Sequence, residues 1–192
     1  MQNLVRCNWC EKDDLYRNYH DTEWGKPSYD DNHLFEHLLL ETFQAGLSWY
    51  TILAKRENFR KAFDNFDASL ISNYGDEKIN ELLQDAGIIR SNAKIKAAVN
   101  NARLFLECKN KFGSYAKYMW QFTNHKIIDN NIESMKDIPI TSTESDAMSK
   151  DMKKRGFKFI GSTTCYAYMQ AVGMVNDHLQ TCFLYKKSEI ER

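Results

Sequence analysis

Leu82-Leu83-Gln84-Asp85-Ala86-Gly87-Ile88-Ile89-Arg90-Ser91-Asn92-Ala93-Lys94 is the stretch on which the fold turns. Two helical patterns meet there across a very short connection. Asp76 to Ala86 places Ile79, Leu82 and Leu83 on one face; from the cap residue Ser91, Ile95, Ala98, Val99, Ala102 and Phe105 recur at helical spacing to about Cys108. Gly87 stands where a left-handed helix terminator is expected. The pattern predicts a helical hairpin over about residues 76–108. Such a hairpin can turn backbone N–H groups toward an anion, and the next helix N-terminus adds partial positive charge. Arg90, Lys94 and Lys96 lie at the same end, so Gly87, Arg90 and Lys94 are candidate contacts to a DNA backbone. The plainer reading is a hairpin with a solvated basic face.

Outward from the hairpin, the same helical logic continues. Asp30 or Asp31 can cap a helix carrying Leu34, Phe35, Leu38, Leu39 and Phe43, which Gly46 interrupts; Ser48 can cap the next. Asp67 restarts a short helix, Tyr118, Met119 and Phe122 mark another, and Thr141-Ser142-Thr143 lead into one ending near Arg155-Gly156. Ser162 or Thr163 opens the last, with Tyr166, Met169, Gln170 and Val172. Almost nothing alternates like a strand. The expected fold class is all-α, one compact domain over residues 1–185 built from nine or ten short helices, with a tail from Lys186 that frays.

The chain has 192 residues, 26 Lys plus Arg against 26 Asp plus Glu, and zero net charge, which argues against DNA affinity through a globally basic surface. The total hides a division: residues 1–50 hold 4 basic and 9 acidic side chains, and residues 51–120 hold 12 and 8. No apolar run approaches the length of a membrane span and the first residues have no signal-peptide core, so a soluble cytoplasmic protein is expected, without a membrane partner. One domain needs no second copy to form its core, so a monomer is expected. Five cysteines, an odd number in a chain this long, argue against a disulfide framework.

Cys7 and His20 near the front, with His178 and Cys182 near the back, form a candidate Cys2His2 set suited to one structural zinc ion. If residues 178–182 form a helical turn, His178 and Cys182 share a face. The alternative is that the two cysteines are buried thiols and the histidines serve packing, and Cys10 is a rival ligand through its Cys-x-x-Cys spacing to Cys7.

Glu41 lies among Leu38, Leu39, Leu40 and Phe43, a carboxylate in an apolar helix that must find partners. Near it stand Trp49 and Tyr50; the front segment adds Trp9, Tyr16, Tyr19 and Trp24, rings suited to clamping a planar base or to filling a core. An acidic group, aromatic walls and a phosphate-holding hairpin together suggest an enzyme that takes a nucleobase out of the stack. P-loop, dinucleotide and zinc-deaminase motifs are absent from the sequence.

Several separated blocks carry a resemblance across nearly the whole chain: Tyr16-x-x-Tyr19-His20-Asp21-x-Glu23-Trp24-Gly25, Glu41-x-x-Gln44-Ala45-Gly46-Leu47-Ser48-Trp49, Lys55-Arg56-Glu57-Asn58-Phe59-Arg60, Lys153-Lys154-Arg155-Gly156-Phe157-Lys158-Phe159 and Val175-Asn176-Asp177-His178-x-x-x-Cys182, besides the hairpin itself. The chain resembles the bacterial 3-methyladenine DNA glycosylase I family of the helix-hairpin-helix superfamily.

The resemblance implies a structural zinc on Cys7, His20, His178 and Cys182, with Cys10 extra to the pattern. It implies that Glu41 is chiefly a base-recognition group, with a general-base role left open, in a pocket with Trp9, Tyr16, Tyr19 and Trp49. The implied activity is hydrolytic release of 3-methyladenine from alkylated double-stranded DNA. Gly161 to Tyr166, where relatives place a catalytic Asp or Lys, offers no nucleophile, so excision without strand cleavage is expected. Two rivals make different demands. A noncatalytic DNA-binding module would bind duplex without releasing base, and a metal-dependent hydrolase would lose chemistry but not folding on chelation.

Overall fold

The computed structural model describes residues 4–185; the tail expected to fray, 186–192, lies outside them. Ten α-helices occur among the described residues: α1 (Asp14–Thr22), α2 (Asp31–Gln44), α3 (Trp49–Ala54), α4 (Arg56–Ala62), α5 (Ala68–Ile71), α6 (Asp76–Gln84), α7 (Asn92–Phe112), α8 (Tyr115–Trp120), α9 (Thr143–Arg155) and α10 (Ser162–Ala171).

Capping sets most of the boundaries. Asp30, Ser48, Asp67, Ser91 and Ser142 each accept a backbone N–H of the helix they precede, as their short polar side chains predict. α7 runs a turn beyond Cys108 and stops at Gly113 in the left-handed region.

α2 is the hub. Every residue from Leu34 to Phe43 is buried, and the helix packs against α3, α7, α8 and α10. That is why it is apolar on all sides rather than along one stripe. Its central position makes Glu41, on its last full turn, a carboxylate with no route to bulk solvent except through a cavity.

Two features depart from the sequence reading. Helix α1 was not anticipated, because only Leu15, Tyr16 and Tyr19 of its nine residues are apolar; Asp13 caps it by accepting from Tyr16 N–H (2.9 Å), and burial of Tyr19 and His20 holds it down. There is also a strand pair, β1 (Ile128–Asp129) with β2 (Val175–Asn176), parallel and in register Ile128 to Val175. Two residues are too few to show alternation in a sequence. The bridge ties the connection after α8 to the segment that delivers Asp177 and His178, and the fold class remains all-α. No helix among the described residues is long and apolar enough to cross a membrane.

Candidate functional site

A cavity of about 270 Å3 opens beside the hub helix. Glu41 and Gln44 of α2, Tyr16 and Tyr19 of α1, Trp49 of α3, and Trp9 and Trp24 of the front segment line it. The rings brace one another, Trp9 edge to face on Tyr16 at 5.5 Å and on Trp24 at 5.1 Å, and Tyr19 tilted against Trp49 at 5.5 Å. All five pocket residues expected from the sequence, Trp9, Tyr16, Tyr19, Glu41 and Trp49, therefore meet in one place. The lining also includes Met135 and Ile138 from the connection before α9, and Ala167, Gln170 and Ala171 from α10. Met135 and Ile138 lie in a linker that the sequence reading takes as a polar, β-branched connection, although it also holds Ile127, Ile128, Ile132 and Ile140.

Glu41 is 4% exposed, and burial pushes its carboxyl up to about 8. At neutral pH it is thus protonated when the cavity holds no cation. A second opening is lined by Glu41, Gln44, Gly46, Leu47, Thr163, Thr164 and Ala167, and so shares Glu41, Gln44 and Ala167 with the first.

The aromatic wall is backed by a buried ionic network. Glu23 accepts both terminal nitrogens of Arg56 (2.6 and 2.7 Å) and Nε2–H of His37 (2.7 Å), while Arg56 Nε donates to Glu36 (2.6 Å). Burial alone raises the pKa of Glu23, but hydrogen bonds from His33, His37 and Arg56 outweigh it and hold the carboxyl below its usual range. Burial lowers the pKa of His37, so its ring is neutral, and it lies nearly parallel to Trp49 at 6.2 Å. The network thereby fixes a pocket wall from behind.

The hairpin, residues 85–91, forms where expected but by different means. Gly87 is not in the left-handed region. Helix α6 ends with Asp85 in an extended conformation, and Asp85 Oδ1 accepts Gly87 N–H at 2.7 Å. Glycine is required for close approach: a Cβ there would lie 2.9 Å from Asp85 Oδ1 and 3.1 Å from Asn58 Cβ. Lys55 Nζ donates to the carbonyls of Ala86 (3.0 Å) and Gly87 (3.1 Å), bringing a cation to the turn from α3. Arg90 is exposed at this turn.

Lys94 corrects the sequence reading. Its ammonium donates to the carbonyls of Phe43 (2.8 Å) and Ala45 (2.6 Å), turned inward to close the C-terminus of α2. Substitution Lys94→Met is expected to lower stability by about 1–3 kcal/mol, the cost of stranding those carbonyls, while the salt dependence of DNA binding stays as it was. Thermal melts and salt titrations check both. Arg155, from the second basic cluster, likewise bonds Asp151 (2.6 Å) and lies over Phe112 and Tyr118, so it serves packing.

Cys7, His20, His178 and Cys182 are all buried and present four ligand atoms within 4.8 Å of one another. Cys182 Sγ lies 3.5 Å from His20 Nε2 and 3.7 Å from His178 Nδ1, which is itself 3.7 Å from Cys7 Sγ. A tetrahedral zinc site with ordinary Zn–S and Zn–N lengths has S···N edges of about 3.5 Å, so the donor set fits. Residues 178–182 form a turn rather than a helix, so the i, i+4 argument for their proximity does not hold; the Cys182 N–H bond to Leu179 O brings them together instead. His20 Nδ1–H donates to Asp21 Oδ1 (2.8 Å), which frees Nε2 to face the cluster, and Arg6 steadies that carboxylate at 2.8 Å. Cys10 lies apart, its thiol donating to Cys7 O, and burial pushes it up to about 11.

With this geometry established, comparison with known proteins is specific. A family model described as methyladenine glycosylase matches residues 9–185. The chain is 46% identical over 182 residues to DNA-3-methyladenine glycosylase 1 of Escherichia coli (strain K12), covering 95% of this chain and 97% of that protein. A crystal structure of a 3-methyladenine DNA glycosylase I superposes with a TM-score of 0.92 at 46% identity, over 95% of this chain and 100% of that one. Another, a variant of such an enzyme in complex with 3-methyladenine, gives 0.91 at 35% identity over 95% and 98%. A family model over residues 9–185 and matches that span nearly the whole of both chains place this chain in the 3-methyladenine DNA glycosylase I family.

Proposed function

We propose that this chain acts in DNA base-excision repair, hydrolysing the N-glycosidic bond of 3-methyladenine in alkylated double-stranded DNA after the nucleotide leaves the stack and enters the Glu41 cavity. The observation that carries the reading is Glu41: a buried carboxyl walled by tryptophan and tyrosine rings, in a chain of this family.

The lesion supplies much of the activation. An N3-methylated adenine nucleotide carries a cationic base, which departs neutral when the bond to C1′ breaks. Aromatic faces attract that cation, and its entry pulls down the pKa of Glu41, which gives its proton to solvent water at the mouth of the cavity and becomes the counter-charge. As the base leaves, the sugar gains oxocarbenium character; water adds at C1′ and releases a proton.

Strand cleavage would need an amine. Among the described residues lining either opening there is no lysine, and burial pushes the nearby Cys165 thiol up to about 12. The reaction therefore stops at the abasic site. Cys7, His20, His178 and Cys182 would hold one zinc ion, a closed set that supplies a cross-link and no reaction step.

Incubating the purified protein with methylated duplex and identifying released bases tests the reading. Release of 3-methyladenine from intact strands is expected, and 3-methylguanine in the same assay defines the lesion range. Duplex binding without released base would make the chain a binding module instead.

A further inference from the structure

The loop between α9 and α10 holds an aromatic side chain outside the core. Phe157 and Ile160 are buried, whereas Phe159 between them is 38% exposed. Its φ is +56°, in the left-handed region that a bulky residue seldom occupies. The loop is nevertheless tightly held. The buried Asn101 side chain accepts from Lys158 N–H (2.9 Å) and donates to Lys158 O (3.0 Å). Asn100 donates to Gly156 O (3.0 Å), and Ser149 Oγ donates to Ile160 O (2.8 Å). These bonds fix the backbone on both sides, so the ring is presented outward by a conformation that packing of Phe159 itself does not explain.

Beside the ring runs an open groove of about 380 Å3, walled by Ala93, Ala97 and Asn100 of α7 and flanked by Lys96 and Lys158, with no acidic side chain in its lining. Its position matters. Helix α7 starts directly after the hairpin, and the loop leads within a few residues to Thr163 and Thr164 at the second opening onto Glu41. The groove is thus built from the first turns of the helix that follows the hairpin and from the loop that leads to the second opening. An apolar surface between two ammonium groups matches a nucleic-acid strand, in which sugar and base edges alternate with phosphates.

We propose that Phe159 is a DNA-contacting residue whose ring packs on a sugar and base edge of the strand between hairpin and pocket, with Lys96 and Lys158 on the flanking phosphates. This inference rests on the DNA glycosylase reading.

Substitution Phe159→Gly removes the ring and relieves the backbone, so its two effects should diverge. Affinity for a duplex containing an abasic-site analogue is expected to fall about tenfold, while thermal stability holds or rises and the pocket still binds free 3-methyladenine. Phe159→Trp should retain duplex affinity. Replacing Lys96 and Lys158 together with Ser should reduce the slope of log affinity against log salt by about two. Parent-like duplex binding by Phe159→Gly overturns the proposal, as does its unfolding, which would make the ring structural, or an equal loss in Phe159→Trp. The parent protein in the same assays separates the two readings: if it neither binds duplex nor releases base, the glycosylase reading fails, whereas an active parent matched by Phe159→Gly removes Phe159 alone.

Discussion

Replacing Glu41 with Gln is expected to slow single-turnover excision about a hundredfold, to leave duplex affinity within about twofold, and to stabilise the fold at alkaline pH. The kinetic effect follows from loss of the only carboxyl group among the residues lining the cavity, the group placed to balance a cationic base. The stability effect follows from linkage. An unfolded Glu titrates near 4.5 and the folded Glu41 near 8, so between those pH values the native state holds more protons than the unfolded one. Stability conferred by the protonated group is complete below pH 4.5 and is lost as pH rises toward 8, by at most about 1.4 kcal/mol per pH unit. Gln has no proton to lose. The advantage of Glu41→Gln over the parent should be smallest at pH 5, larger at 7 and level above 8, as read by melting curves. A constant difference at all three, or undiminished excision, would remove Glu41 from the role assigned to it.

Removal of the metal is expected to have the larger structural effect. Chelation, or Cys182→Ser, should lower the melting temperature by about 10 °C or more, since a closed ligand set contributes folding free energy outright. It should also weaken binding of free 3-methyladenine. Trp9 packs edge-on against His20 at 5.5 Å and Trp24 against His178 at 4.8 Å, so two residues of the Cys2His2 cluster form the backing of two pocket walls. Gly25 permits that closeness; a Cβ there would lie 2.7 Å from His178 Nε2. Tryptophan fluorescence and calorimetric titration with the free base would follow wall and site together. Should chelation abolish base release while the melt and base binding stay intact, the ion would belong to the chemistry and not to the fold.

What the sequence disclosed depended on how local its cause was. α2 and α7 were legible because burial or capping writes itself into consecutive residues, and Ser48, Asp67, Ser91 and Ser142 marked helix starts that hold in three dimensions. Glu41 was conspicuous because a carboxylate among leucines is costly unless used. Other features depend on partners distant in the chain. Lys94 advertised a charge, but nothing near it in sequence points to the carbonyls of Phe43 and Ala45 about fifty positions upstream. At Gly87 the expected left-handed φ is not found; what crowds a side chain there is Asp85 and Asn58, the latter distant in the chain. α1 lies in polar surroundings whose apolar content is too thin to reveal a face.

The inward turn of Lys94 has a consequence for how a duplex would be handled. Because the first turn of α7 grips the end of α2, the α6–α7 hairpin and the Gly46–Leu47 rim of the pocket are joined by hydrogen bonds rather than by a hinge. A protein so built has a fixed gauge. With the proposed phosphate contact at the hairpin and the nucleotide in the pocket, the interval between the two would be a dimension of the protein's interior, and the deformation would fall to the nucleic acid.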